Sequence, residues 1–252
     1  MTKEGAGGTR QLSDAEALSL PAGAEHYMAY VGQPSQYDLR GAAQFALLIA
    51  MGLRSRHKLL DFGCGSLRLG RLAISYLDPG GYVGLEPNQW LVEDAIERQL
   101  GREIVGFKRP VFHAFDDFRA ERCGTGFDYI VAQSIFSHAG ADVVATALEG
   151  FARALAPSGL ALATFMHARE RLTGGETASG WLYPEGVGFE PGSVARMIAA
   201  AGLYGRALPW FHPYQTWYAI APSQARIPPP AYDGLLRGAI FGPPEWVEST
   251  RP

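Results

Sequence analysis

The sequence predicts one α/β domain built on a doubly wound sheet, mostly parallel, with helices on both faces and one antiparallel final strand. Three observations carry this. Short apolar runs alternate with stretches of helical periodicity, the pattern of βαβ units. The pair Gly63 and Gly65 sits between an apolar run and an amphipathic stripe, in the order strand, loop, helix. The chain also ends its periodic part in two apolar runs with a short connection, Leu203–Trp210 and Thr216–Ala221, as a closing hairpin would.

The elements follow in chain order. Ser13-Asp14-Ala15-Glu16 is a capping-box pattern and Pro21 ends the short helix after it. Lys58–Phe62 is a buried strand. Leu69, Leu72, Ala73, Tyr76 and Leu77 recur at i, i+3, i+4, i+7 and i+8, with Arg68 and Arg71 off that stripe. Pro79-Gly80-Gly81 turns the chain into a second strand, Tyr82–Leu85, and Asn88 is placed to cap a helix over Trp90–Leu100. Pro110–His113 is a weak strand and Tyr129–Ala132 a strong one. Val144, Leu148, Phe151, Ala152 and Leu155 mark one face of the next helix, which the turn Ala156-Pro157-Ser158-Gly159 separates from a strand over Leu160–Phe165. Val194, Met197, Ile198 and Ala201 mark a helix that stops at Gly202. The chain divides into an N-terminal cap region (1–37), a core (38–221) carrying an insertion at 167–190, and a Pro-rich tail (222–252).

Composition narrows the function. Of 252 residues 31 are glycine, about 12% against a usual roughly 7%, so the glycines need local explanations. The net charge is −3 with no Lys/Arg run, which disfavours nucleic acid as a partner. No stretch reaches the roughly 18 apolar residues of a membrane span, and the N-terminus lacks a signal-peptide core. Cys64 and Cys123 show neither metal nor redox spacing, so no metal is expected and the reading is a reduced, cytoplasmic protein. A homodimer is left open.

The most informative stretch is Leu59-Leu60-Asp61-Phe62-Gly63-Cys64-Gly65-Ser66-Leu67-Arg68-Leu69-Gly70. Glycines at a strand end let a ligand approach the backbone. A dinucleotide fingerprint requires G-x-G-x-x-G, and here the third glycine, Gly70, comes too late. Asp61 would also repel a diphosphate and attract an amino group. Glu86 ends the second strand, 23 residues after Gly63.

On these residues the chain resembles the class I S-adenosylmethionine-dependent methyltransferases, with their Rossmann-like fold. Asp61-Phe62-Gly63-Cys64-Gly65 is similar to the family's first motif. Glu86, followed by Pro87, stands where the family places the acid that holds both ribose hydroxyls. Asp116 or Asp117 stands where an acid accepts the adenine amino group, with Asp116 favoured on its spacing from Phe112. Phe127-Asp128-Tyr129-Ile130-Val131-Ala132-Gln133-Ser134 is similar to the fourth motif, and Leu155–Leu160 to the turn into the fifth strand. The likeness runs from about residue 38 to 221. It implies S-adenosylmethionine as cofactor, S-adenosylhomocysteine as product, and a cofactor site from Asp61, Gly63, Cys64, Gly65, Arg68, Glu86, Pro87, Asp116, Asp117 and Gln133. Arg68 would pair with the cofactor's carboxylate or stand as a solvated helix arginine.

In open parallel sheets the ligand lies beyond the C-terminal strand ends. His113, His138, His167 and His212 each follow a different strand. His138 leads the candidates for the base that deprotonates an acceptor hydroxyl, with His167 and His212 behind it, since in-line methyl transfer needs alignment and a proton acceptor. Strand four lacks the Asn/Asp-Pro-Pro-aromatic motif of enzymes that methylate base amino groups, so a DNA base is disfavoured. Trp181, Tyr183 and Phe189, with Gly174, Gly175 and Gly180 as lid glycines, are expected to wall the acceptor pocket. His26, Tyr27, Tyr30 and Tyr37 are expected to cover the cofactor, and Trp210, Phe211 and Tyr214 to form a far wall. The expected activity is methylation of a small-molecule hydroxyl, of a sugar or secondary metabolite. The alternatives are a protein or RNA acceptor, a nicotinamide-dependent oxidoreductase, and a fold relative that binds the cofactor without transferring methyl.

Overall fold

The computed structural model describes residues 12–169 and 172–236. The first part of the cap region and residues 237–252 of the Pro-rich tail lie outside the described residues. Helix α1 (Asp14–Ala17) opens with the expected capping box, Ser13 and Glu16 each bonding the other's backbone N–H. It is followed by α2 (Tyr27–Tyr30) and α3 (Tyr37–Ala50). The alternating core is β1 (Leu59–Phe62), α4 (Gly70–Tyr76), β2 (Tyr82–Leu85), α5 (Gln89–Ala95), α6 (Arg102–Lys108), β3 (Val111–His113), β4 (Phe127–Ala132), α7 (Ala141–Ala154) and β5 (Leu155–His167). The insertion adds β6 (Thr173–Gly174) and β7 (Val187–Phe189), and α8 (Pro191–Ala200), β8 (Tyr204–Leu208), β9 (Thr216–Ala221) and α9 (Asp233–Leu236) follow.

The sheet runs β3-β2-β1-β4-β5, all parallel, and β9 pairs antiparallel with β5 and with β8. The last strand is therefore wedged in against the direction of its neighbours, as the closing hairpin requires. Period-two alternation sorts each strand's side chains to opposite faces. Leu59, Tyr82, Tyr129, Leu160 and Trp217 pack with α3, α4 and α5 on one face. Leu60, Phe62, Ile130, Ala161 and Ile220 pack with α7 and α8 on the other. Because the central strands are covered on both faces, β1 and β2 are buried at all four positions and read as continuous apolar runs.

Three local readings are corrected and one helix, α6, was not anticipated. In α4 the buried stripe is Leu69, Ala73, Ile74 and Leu77, while Tyr76 is exposed, because Ile74 faces the sheet in its place. Asn88 occupies the N-cap position of α5 but makes no side-chain cap; its amide donates instead to Glu86 Oε1. Helix α6 buries none of its residues, so no apolar stripe announced it. The turn at Ala156–Gly159 is a bulge inside β5, since Phe127 pairs with Leu155 and Tyr129 with Leu160.

The contact that sets the height of the site is between α3 and the loop after β1. A Cβ on Gly41 would lie 2.5 Å from the backbone oxygen of Arg68, which has no soft side chain to yield. Gly41→Ala is expected to destabilise the fold by about 1–3 kcal/mol, as overpacking does. Denaturant melts check this, and an unchanged midpoint would show that the helix can back away.

Candidate active site

The C-terminal ends of β1, β2 and β4 open into a cavity of about 710 Å³. Gly63 and Gly65 form its floor with φ of +77° and +52°, conformations that L side chains rarely adopt. Close approach adds a second constraint. A Cβ on Gly63 would lie 2.1 Å from Ile135 Cδ1, and one on Gly65 2.8 Å from Val31 Cγ1. The N–H groups of Gly63 and Cys64 both donate to the Leu85 carbonyl at 2.9 Å, tying the loop to β2.

Glu86 follows β2 directly, buried against this loop. Its Oε2 accepts from Gly65 N at 3.1 Å, and its Oε1 accepts from Asn88 N at 2.8 Å and Asn88 Nδ2 at 3.1 Å. Burial pushes its pKa up, and these three donors pull it back. Asp61 is buried too, and the Tyr82 hydroxyl donates to its Oδ2 at 2.7 Å. Burial raises its pKa to about 6, opposed by that hydroxyl and by Arg68. The Cys64 thiol is pushed well above its ordinary value, first by burial and then by Asp61 and Glu86, so it is a packing group and not a nucleophile.

Two arginines share the wall facing these acids. Arg68 donates from NH1 to the Val31 carbonyl at 3.0 Å, and its Nε is buried without a partner. Burial, then repulsion from Arg40, lowers its pKa to about 10. Arg40 donates to Gln36 Oε1 from Nε at 3.1 Å and NH2 at 2.7 Å, and its guanidinium lies 5.8 Å from the Tyr214 ring centroid.

The opposite wall is aromatic. Trp181 and Tyr183 are stacked with centroids 6.4 Å apart, and the His138 ring stands edge-on to both, 5.9 and 5.1 Å away. His138 Nδ1 lies 2.7 Å from the Glu185 carbonyl. A carbonyl only accepts, so Nδ1 carries the proton and Nε2 keeps its lone pair. Burial holds the His138 pKa below its usual value. Tyr183 also donates its hydroxyl to the Tyr30 carbonyl at 3.0 Å, joining the insertion to the cap region. The cavity floor between these walls is Ser134, a non-glycine residue at φ +61°, whose N–H donates to Thr164 Oγ1 at 2.8 Å and whose Oγ accepts from Gln215 Nε2 at 3.0 Å. Such backbone strain collects where a side chain must be aimed.

The structure brings Asp61, Gly63, Cys64, Gly65, Arg68, Glu86, Pro87, Asp116, Gln133 and His138 to this one cavity. It leaves Asp117 outside: that carboxylate is ion-paired with Arg122 and accepts from Arg119 N. His167 is also outside, 3.1 Å from the Tyr218 hydroxyl, and His212 lies behind the wall. His212 Nδ1 accepts from Tyr214 N and Gln215 N at 3.2 and 3.0 Å, its Nε2 meets the Gln133 amide, and its pKa falls well below normal through burial and the two arginines. It organises the loop before β9.

Several aromatic expectations are corrected. His26, Tyr27 and Tyr37 belong to the packing beneath the cap: His26 caps α2, Tyr27 donates to Asp14, and Tyr37 donates to the Ser66 carbonyl at 2.6 Å. Phe189 is buried in the core, and a Cβ on Gly175 would lie 2.3 Å from its ring, so that glycine packs and does not hinge. Trp210 is buried with its Nε1 donating to the Ala43 carbonyl at 3.1 Å, and Phe211 lines a minor crevice. Tyr30, Trp181, Tyr183 and Tyr214 do line the cavity. Arg40 and Gln44 were missed as lining residues. Their signal was the polar pair Arg40 and Gln44, at i and i+4 on one face of a mostly apolar helix.

Residues 60–161 match the family model of a methyltransferase domain. No curated protein matches in sequence. Among solved structures, magnesium protoporphyrin IX methyltransferase of Synechocystis PCC 6803 with bound SAH aligns over 75% of this chain and 84% of its own, at 14% identity and a TM-score of 0.54. A DhpI–SAH complex aligns over 75% and 91%, at 18% identity and 0.53. The mitomycin 7-O-methyltransferase MmcR aligns over 77% and 56%, at 19% identity and 0.56. At these identities the likeness establishes the fold. Residues 60–161 therefore carry a methyltransferase domain, and the strand order gives the chain the fold of a methyltransferase solved with SAH bound.

Proposed function

We propose that the enzyme transfers a methyl group to a hydroxyl of a small molecule, with His138 as the base, releasing S-adenosylhomocysteine and a proton. The observation that carries the reading is His138 itself. It shares one cavity with the Gly63–Gly65 loop and Glu86, and the Glu185 carbonyl leaves its Nε2 as a free proton acceptor.

The residues fit the cofactor. Gly63 and Gly65 turn the loop at the end of β1 with positive φ beside the cavity, and Arg68 Nε is a buried donor without a partner. Glu86 would hold the ribose hydroxyls, Asp116 the adenine amino group, Asp61 the ammonium and Arg68 the carboxylate. Pro87, Cys64 and Gln133 would pack along it. When bound, S-adenosylmethionine supplies a methyl group made electrophilic by its sulfonium. The chain's own part is to align the acceptor hydroxyl, exclude water beneath the Trp181–Tyr183 wall, and take the hydroxyl proton on His138 Nε2. Alignment supplies most of the acceleration, and the base contributes about 10²–10⁴ more.

A small acceptor is favoured over a protein or RNA because the Tyr183–Tyr30 contact closes the insertion onto the cap region over the site. The cap region, the core and the insertion are read as one domain. Its two free cysteines fit a reducing, cytoplasmic setting. Incubation of a small-molecule extract and a protein-plus-RNA extract with methyl-labelled S-adenosylmethionine checks the reading. Label is expected in the small-molecule fraction. Label confined to precipitated macromolecules would overturn the acceptor class, and cofactor binding without any labelled product would point to a non-methylating relative.

A further inference from the structure

The two arginines of the cavity wall, Arg40 and Arg68, hold two buried positive charges side by side. Arg40 NH1 and Arg68 NH1 lie 3.1 and 3.9 Å from the point a Cβ on Gly32 would occupy. The two residues are 9% and 8% exposed, and neither forms an ion pair among the described residues. Their hydrogen bonds go to neutral acceptors, the Gln36 amide oxygen and the Val31 carbonyl. Buried charge is costly unless it is paired, and like charges raise the cost. Two such groups facing one cavity are a receptor for anions, and a guanidinium fork suits carboxylate, phosphate or phosphonate oxygens.

The proposed cofactor brings one carboxylate, and Arg68, in the glycine loop beside Asp61, is placed for it. Arg40 is left over. It projects from α3 toward the acceptor side, over Tyr214, whose neighbour Gln215 bonds Ser134 at the end of β4. Gln44, one turn on from Arg40, also lines the cavity, and its Oε1 is a buried acceptor without a partner, which suits a hydroxyl of the ligand rather than its anionic group. We propose that Arg40 binds an anionic group of the methyl acceptor, so that the substrate class is hydroxylated organic acids. This rests on the methyltransferase reading above. The aromatic wall of Phe118, Trp181 and Tyr183 would take the ring or chain that carries the hydroxyl, and the salt link to Arg40 would fix which hydroxyl meets His138.

The test is calorimetric titration of the wild-type protein, Arg40→Gln, Arg40→Lys and Arg68→Gln. The ligands are S-adenosylhomocysteine and then, in its complex, para-hydroxybenzoate, para-hydroxyphenylpropanoate and their uncharged amides. Wild type is expected to prefer the acids at least 10-fold. Arg40→Gln is expected to lose that preference while binding S-adenosylhomocysteine within about threefold of wild type. Arg40→Lys is expected to keep part of the preference, which a merely structural arginine would not do. Arg68→Gln is expected to weaken S-adenosylhomocysteine at least 10-fold. Equal affinity for acids and amides, or none for either, overturns the proposal. So does an Arg40→Gln variant that weakens S-adenosylhomocysteine as much as Arg68→Gln does, because both arginines then hold the cofactor. Wild-type protein that binds no S-adenosylhomocysteine overturns the methyltransferase reading, and this proposal with it.

Discussion

Glu86→Ala is expected to weaken S-adenosylhomocysteine binding by about 10- to 100-fold, the equivalent of roughly 1.5–3 kcal/mol for hydrogen bonds to a charged acceptor. Two losses combine. The carboxylate that would receive the ribose hydroxyls disappears, and Gly65 N, which donates to Glu86 Oε2 at 3.1 Å, is left without its partner. The second loss matters because Gly65 sits at positive φ and depends on that bond to hold the loop open. Glu86→Gln keeps the shape but replaces one acceptor oxygen with an NH₂ group. With Gly65 N on one side and Asn88 N on the other, either orientation sets donor against donor, so the amide is expected to recover little affinity. Calorimetry at pH 7 checks both variants, and alanine affinity equal to wild type would move the ribose elsewhere in the cavity. The same titration run downward in pH should weaken below about 6, where Asp61 takes up a proton and stops attracting an ammonium.

The fold was legible because burial on both faces leaves long apolar runs. Tyr82–Leu85 and Phe127–Ala132 are buried almost throughout, and nothing but a central strand spends so much apolar side chain in so few residues. Helix α6 was illegible for the converse reason. With no buried residue it carries no stripe, and Gly101 and Arg109, both at positive φ, fix its ends through backbone geometry. At the site, residues whose place is set by one strand end were readable: Asp61, Gly63, Gly65 and Glu86 are adjacent to β1 or β2. Residues whose place depends on how distant segments fold back were not. Arg40 comes from a helix before the sheet begins, and Phe189, expected on the wall, is carried into the core by β7. His212 looked like a cavity residue in the sequence but is turned away by Tyr214 N and Gln215 N, two local bonds that no strand pattern encodes. Of Asp116 and Asp117 only Asp116 lines the cavity, because Arg122, five residues on, holds Asp117 as an ion-pair partner.

His138→Ala is expected to lower kcat by about 10²–10⁴ while leaving S-adenosylhomocysteine affinity within about twofold. The separation of the two effects follows from position. His138 is held by Glu185, Trp181 and Tyr183, all from the insertion, whereas the proposed cofactor contacts come from the loops after β1, β2 and β3 and from Gln133 at the end of β4. The pH dependence has a definite sign. A base works only when neutral, and burial lowers the His138 pKa below 6.5, so kcat should rise with pH through a midpoint below 6.5 and be flat above about 7. That acidic limb should vanish in the alanine variant, which has no imidazole to titrate. Removing the ring also leaves a gap between Trp181 and Tyr183, and a packing loss alone would depress kcat. Added imidazole separates the causes: it fits the gap and restores a proton acceptor, so partial rescue that grows with pH is expected. A kcat equal to wild type, or a loss that imidazole does not touch and an acidic limb that survives, would take the proton from some other group and leave His138 as the hinge pin of the aromatic wall.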